Sequence, residues 1–389
     1  MEVMIETCCG IDVHQKSIVC CILDGPLDTN KPKKIQKKFG TTTSALRKAL
    51  VWLEENHVSH VFFESTGQYW VPLFNIFSDS DELTLVLANP QHIKNAPGRK
   101  TDMKDAEWIA QLGRCGLIAP SYISSPEVMQ LRLLTRRLRN YKQRQTQIKN
   151  EIHNLLQRAN IKLTSYLSDI FSKTGQELLK LFTTGEVLTV ETVSNCMRQH
   201  IKATPEELLE AMDGKLSLED RFLLDQSLSE YQMYQELIDS LEKEIKAYIN
   251  HYFPTEFEVL MTIPGVSEHC ASIVLAEIGP NVEAFQTDGH LASWAGLCPG
   301  SYESAGIKKS SHITPGNRYI KHALTISGMI AAHSKDSAFS SLYHRISQRG
   351  SKMKAVIACA HKLLRIIYNV LSTHQTYDKT KALGLRQQF

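Results

Sequence analysis

Hydrophobic positions follow a strand period at the start of the chain and a helix period through most of the rest. The segments CCGIDVH and SIVCCIL are short and rich in β-branched residues and cysteine, with Gln15-Lys16 between them; IQKKFGT follows the loop GPLDTNKPKK as a third such run. Runs of this kind bounded by turn formers predict three consecutive antiparallel strands. From Thr43 to His57 the spacing changes, and Leu46, Ala49, Leu50 and Leu53 share a helical face behind a Thr/Ser cap. The pattern returns to strand at HVFFEST, to helix at GQYWVPLFNIFSD, to strand at LTLVLANP, and to helices around Gln91 and from Thr101 to Arg114. The order β-β-β-α-β-α-β-α is that of a ribonuclease-H-like fold.

Pro126 to Arg158 then carries Met129, Leu131, Leu134, Leu138, Tyr141, Ile148, Ile152 and Leu155 at helical steps, with no glycine and no internal proline. Ser217 to Tyr252 repeats this character through Leu223, Leu228, Tyr231, Leu237, Leu241, Ile245 and Tyr248. Helices this long predict an antiparallel pair or a coiled-coil arm able to dimerise. Residues 161–216 between them read as shorter helices. In VLMTIPGVSEHCASIVLAEIG, the Pro264-Gly265 turn between apolar helices resembles a hairpin that offers backbone N–H groups to a phosphate. A final helix is predicted over about Lys352 to Thr373. The expected class is α/β plus all-α: a ribonuclease-H-like domain over 1–120, a helical coiled-coil linker over 121–255 and a mainly helical C-terminal domain over 256–389.

A chain of 389 residues exceeds the usual size of one core, and 42% hydrophobic with 22% charged residues is ordinary for a folded protein. No run of eighteen apolar residues and no basic-then-apolar leader is present, so a cytoplasmic protein without a membrane segment is expected. The nine cysteines include no CxxC pair and read as buried, reduced small hydrophobes. The net charge of +3 hides an asymmetry: residues 301–389 hold fourteen Lys or Arg against Glu303, Asp336 and Asp378, a net of +11, which leaves −8 for the rest. A basic region on an otherwise acidic chain suits a partner made of phosphates, although a solvated basic surface gives the same count.

Asp12 ends the first predicted strand and Glu64 the fourth. In a ribonuclease-H-like sheet these strands are neighbours, so the two carboxylates converge. Asp102 and Asp105, in TDMKDAEWIAQL, lie three apart and share a helical face. Four carboxylates in one place repel unless a cation sits among them, and hard oxygen ligands suit Mg²⁺ or Mn²⁺. Metal-assisted phosphoryl transfer is the chemistry that follows. Singly, each of these residues also reads as a turn or helix cap.

Arg132, Arg136, Arg137, Arg139, Lys142, Arg144 and Lys149 stud the first long helix, as expected of a surface that tracks a nucleic-acid backbone. Ser304 lies in YESAG between Gly300 and Gly306, followed by Lys308 and Lys309 and by Gly316-Asn317-Arg318, which leads into a helix carrying Lys321 and His322. A small nucleophile on a glycine-flexible loop beside several cations is suited to attack on a phosphodiester, with Ser301, Ser310 and Ser311 as competitors.

Through GID at Asp12, FEsTG at Glu64, TDxxDA at Asp102 and Asp105, the IPGV turn, AGLCPGSYESAG and TPGNRYIKHAL, the chain resembles the DEDD transposases of bacterial insertion sequences, the insertion sequence 110 family that includes the Piv-type DNA invertases. These motifs run from about residue 8 to about residue 335. The resemblance implies a RuvC-like domain, a coiled-coil linker and a C-terminal transposase domain. It also implies a metal site of Asp12, Glu64, Asp102 and Asp105 with Ser304 as nucleophile, and a bacterial, nucleoid-associated enzyme. Its implied partners are DNA at the element ends and target, a noncoding (bridge) guide RNA, and further copies of the chain in a homodimer or homotetramer. Two rivals are a structure-specific nuclease that cuts without joining, and a catalytically silent nucleic-acid-binding protein whose carboxylates are caps. The absence of GxxxxGKS/T excludes a P-loop nucleotide site of that form.

Overall fold

The structure is a computed structural model that describes residues 3–28, 31–64, 67–89, 93, 102–185, 187–198, 201–282, 284–298, 302–304, 307–310, 313 and 315–384. The helix expected around Gln91 falls at a residue outside this set. The chain divides into two compact units, residues 1–123 and 124–389.

In the first unit β1 (Thr7–Val13), β2 (Ser17–Asp24) and β3 (Lys33–Gly40) form an antiparallel meander. Helix α1 (Thr43–Glu55), capped by Thr42, leads to β4 (His60–Glu64), which pairs parallel with β1; α2 (Trp70–Phe77) leads to β5 (Thr84–Ala88), which pairs parallel with β4. Helix α3 (Asp102–Arg114) follows, and the five-stranded sheet runs β3-β2-β1-β4-β5.

Side chains of a strand alternate between faces, which makes a two-sided sheet. Cys9, Ile11 and Val13 of β1 share one core with Val61 and Phe63 of β4 and with Leu46, Leu53, Leu73 and Phe77 of α1 and α2. Cys8 of β1 and Phe62 of β4 face the other way, against Ala106, Ile109 and Ala110 of α3. Six of the nine cysteines are buried and all are free thiols.

The second unit is helical apart from one hairpin among the described residues. Helices α4 (Pro126–Arg158) and α8 (Leu218–Tyr252) lie antiparallel: Arg158 pairs with Asp220, Gln145 with Gln235, Lys142 with Glu242, and the Tyr248 hydroxyl donates to the Glu127 carbonyl. Each begins at a serine N-cap, Ser125 and Ser217, with Pro126 in the first turn of α4. At one end of the pair, α5 (Lys173–Thr184), α6 (Val190–Cys196) and α7 (Pro205–Ala211) close a separate core around Ile152, Leu178, Leu208 and Leu224. The segment 161–216 therefore caps the helix pair rather than hanging free of it.

At the other end the pair joins a core built from α9 (Pro254–Met261), α10 (Glu268–Glu277), α11 (Asp288–Ala295), α12 (Arg318–Ala332), α13 (Ser337–Ser347) and α14 (Lys352–Thr373), with α15 (Lys379–Gly384) packed on it. Helix α14 is long and apolar enough to cross a membrane by length and composition, but 72% of the qualifying window is buried inside the unit, as in a core helix. Between α11 and α12 sits the hairpin of β6 (Tyr302–Ser304) and β7 (Ile307–Ser310). Gly265 (φ 86°) packs tightly on α12, where an added Cβ would stand 2.6 Å from the Ser327 carbonyl oxygen. Close helix packing thus accounts for the glycine of this Pro-Gly turn.

Candidate active site

The alternation that builds the sheet also aims its carboxylates. Asp12 follows Gly10 by two residues in β1, and Glu64 follows Phe62 by two in β4, so both fall on the face covered by α3. The parallel register sets Ile11 beside Phe63, which brings the next pair, Asp12 and Glu64, to the same end of neighbouring strands. Helix α3 comes very close to that face because Gly10 has no side chain: a Cβ there would lie 2.2 Å from the Ala106 carbonyl oxygen and 2.3 Å from the Ala110 nitrogen. Gly113 does the same over Phe62, with its Cβ position 2.4 Å from the ring. Asp105 precedes Ala106, and Asp102 begins the helix, its side chain lying outside the described residues.

The electrostatics report this convergence. Partial burial pushes the Asp12 carboxyl above the usual range, and the charges of Asp105 and Glu64 push it further, while His14 opposes them. The His14 Nε2 stands 2.9 Å from Asp12 Oδ2. This neighbour was not singled out in the sequence, where the only signal for it is its place two residues after Asp12. Among the described residues no three metal-ligating side chains stand close enough to hold an ion as they are. Asp12, Glu64 and Asp105 are oxygen donors of the type that suits a hard divalent cation, and the charges of Asp105 and Glu64 disfavour ionisation of Asp12, which a nearby cation would favour.

In the second unit Ser304 ends β6, opposite Ile307, instead of lying in the expected flexible loop. The side chains of Ser304, Lys308 and Lys309 lie outside the described residues.

The arginines of α4 divide into two groups. Arg136 holds the buried Glu277 with two bonds of 2.8 Å, from Nε to Oε1 and from Nη2 to Oε2. Arg132 donates to the carbonyls of Ala276 and Glu277, at the C-terminal end of α10, where a cation is favoured, and to Ser124 Oγ. Asn317, the N-cap of α12, adds a bond of 2.6 Å from Nδ2 to Glu277 Oε2. These two arginines are thus used inside the chain, tying α4, α10 and α12 together, instead of forming the open phosphate-facing surface expected of them. Glu277 is the residue that the sequence reading missed, and its signal is a lone carboxylate at the end of the apolar run ASIVLAE. Arg137 is exposed beside Tyr141, and Arg139 and Arg318 stack on Tyr319 at 4.7 and 5.1 Å. Lys321 lies half-buried on α12.

Two family profiles match this chain, one described as Transposase over residues 9–161 and one as Transposase IS116/IS110/IS902 family over residues 257–344. The chain belongs to the IS110 family of transposases. The first match covers the sheet, α3 and α4, and the second covers α9 to α13 with the serine hairpin. This IS110-family protein is 24% identical to the pilin gene-inverting protein of Moraxella bovis, over 97% of this chain and 99% of that one, and equally similar to its counterpart in Moraxella lacunata. It is also 30% identical to an insertion element IS110 protein of Streptomyces coelicolor, over 38% of this chain and 36% of that one. It is therefore related to the Piv-type invertases and is an enzyme that acts on DNA.

Proposed function

We propose that this transposase excises and inserts a DNA element by phosphoryl transfer, with Asp12, Glu64, Asp102 and Asp105 as the metal ligands and Ser304 as the nucleophile. The observation that carries the reading is the placement of Asp12 and Glu64 on the sheet face that α3 covers, together with the upward push that Asp105 and Glu64 exert on Asp12. The strand order β3-β2-β1-β4-β5, with its antiparallel meander, supports a ribonuclease-H-like, RuvC-like domain. The antiparallel α4–α8 pair supports a coiled-coil linker between that domain and a C-terminal transposase domain.

Mg²⁺ or Mn²⁺ bound by the carboxylates would supply positive charge for a reacting phosphodiester. The protein's own groups then divide the work. Glu64 and Asp12 are fixed by neighbouring strands and Asp105 by a helix that Gly10 admits, so the ligand set is held by packed backbone. His14 holds the Asp12 carboxylate in place through its 2.9 Å contact. Ser304 Oγ forms a bond to the scissile phosphorus as the bond to the leaving sugar oxygen breaks, and that oxygen takes up the serine proton. The phosphoserine link conserves the phosphodiester energy, so that a hydroxyl of a second strand can release the serine without a nucleotide cofactor. Arg137, Arg139, Lys308, Lys309, Arg318 and Lys321 are the cations assigned to nucleic acid. A noncoding guide RNA and a homodimer or homotetramer, in which one copy's serine meets another's carboxylates, complete the reading.

Ser304→Ala tests it. Covalent protein–DNA adducts, trapped by denaturing the reaction, disappear in this variant while DNA binding persists. Adducts that persist show that Ser304 is not the nucleophile.

A further inference from the structure

Within the second unit, α4, α10 and α12 border a cleft of about 550 Å³ whose walls include Arg139, Lys142, His269, Glu277, Tyr319 and His322. Most of the charge around it is already balanced. Arg136 is held by Glu277 at 2.8 Å, Lys142 by Glu242 at 2.6 Å, and the remaining capacity of Glu277 is met by Asn317. Arg139 is different. Its guanidinium lies 4.7 Å from the Tyr319 ring centre, a ring it shares with Arg136 at 4.3 Å and Arg318 at 5.1 Å. Stacking on an aromatic face holds a guanidinium in place but accepts none of its N–H groups in the ring plane. Among the described residues no carboxylate pairs with Arg139, and its Nη1 is buried without a hydrogen-bond acceptor.

A buried charged donor without an acceptor is costly and is kept where something else satisfies it. What Arg139 Nη1 lacks is an acceptor, and the same lining supplies the Tyr319 hydroxyl and the imidazoles of His269 and His322. Desolvation, Lys142 and His322 hold His269 below the usual imidazole range, so this neighbour adds a ring able to donate a hydrogen bond without adding a full charge. A tetrahedral anion meets these donors from several sides, as guanidinium and phosphate geometries are matched.

We propose that this cleft seats a backbone phosphate of the DNA on which the enzyme acts, with the Arg139 guanidinium as its principal donor and His269, His322 and Tyr319 around it. The inference rests on the reading that this protein works on DNA, and it assigns to that work residues other than the proposed carboxylates and serine.

The test uses the full-length protein and a duplex oligonucleotide of arbitrary sequence, with affinity measured across a range of salt concentrations. Losing one phosphate contact lowers the slope of log affinity against log salt by about 0.9. Arg139→Gln is expected to show that decrease together with a roughly ten- to hundredfold weaker affinity, and Arg139→Lys is expected to recover the slope. In wild-type protein, inorganic phosphate is expected to move the side-chain NMR signals of His269 and His322 saturably, and Arg139→Gln is expected to abolish the shift. An unchanged DNA slope in Arg139→Gln overturns the cleft and leaves the DNA reading standing, as does a change confined to RNA. Wild-type protein that binds no duplex at all overturns both, and the wild-type curve separates the two failures.

Discussion

The carboxylate face and the serine hairpin are built on different amounts of structure. Asp12 and Glu64 sit at the ends of strands in a five-stranded sheet with a core on each side, and α3 is locked against them by two glycines that leave no space for a Cβ. Among the described residues, Ser304 ends a strand of three residues paired with a strand of four, in a sheet of two. An isolated two-stranded hairpin is marginal by itself. What anchors the serine region is the chain just beyond it: Asn317 caps α12 and bonds to Glu277, while Gly316 packs against Gly296, its Cβ position 2.3 Å from the Gly296 nitrogen. One half of the proposed chemistry is thus fixed by a sheet, the other by a buried ion network at the foot of a hairpin.

That contrast is sharpest at Glu277. Its side chain is 2% exposed, and its removal leaves the Arg136 guanidinium and Asn317 without this acceptor. Glu277→Ala is expected to lose about 3 kcal/mol of stability in thermal or chemical unfolding, the lower end for a broken buried pair because Arg136 reaches solvent. Unchanged stability would show that the network does not anchor the second unit.

Gly10→Ala is the corresponding perturbation in the first unit. Both atoms nearest to the new methyl belong to the α3 backbone, so the helix must shift instead of a side chain rotating away. The expected loss is about 1–3 kcal/mol, with a fall in DNA strand transfer because Asp105 moves away from Asp12. Full activity with native stability would mean that the close approach of α3 is dispensable.

Much of this fold was legible in the sequence because its periods are clean. The β-β-β-α-β-α-β order and the helices Pro126–Arg158 and Leu218–Tyr252 follow from apolar spacing that tertiary contacts reinforce. The hairpin was not legible, since YES and IKKS show neither apolar alternation nor a run of β-branched residues. Nor was the fate of Arg132 and Arg136. A stretch of arginines on a helix looks alike whether it meets phosphate or a carboxylate, and here the carboxylate is Glu277, 141 residues away from Arg136. The convergence of Asp12 and Glu64 was expected from strand adjacency, whereas the bare Gly10 surface that admits α3 and Asp105 needed the structure.

The smallest expected effect concerns Asp12 itself. Its raised pKa means that the folded state favours the protonated form; the resulting stability is present in acid and is lost as pH rises through the folded-state value. At neutral pH without metal, the ionised carboxylate therefore weakens the fold slightly. Asp12→Asn is expected to raise the metal-free melting temperature by a small amount at pH 7 and to leave it nearly unchanged in acid. A lower melting temperature at both pH values would contradict a repulsive carboxylate cluster.

The most direct measurement is Mn²⁺ binding followed by electron paramagnetic resonance in the full-length protein with duplex DNA present. Wild-type protein is predicted to bind the ion, with affinity falling at least about a hundredfold in Asp12→Asn, Glu64→Gln and Asp105→Asn, since even groups that only orient metal ligands cost ten- to a hundredfold. Mn²⁺ bound equally well by all four proteins, or by none of them, would contradict a metal site on this face of the sheet.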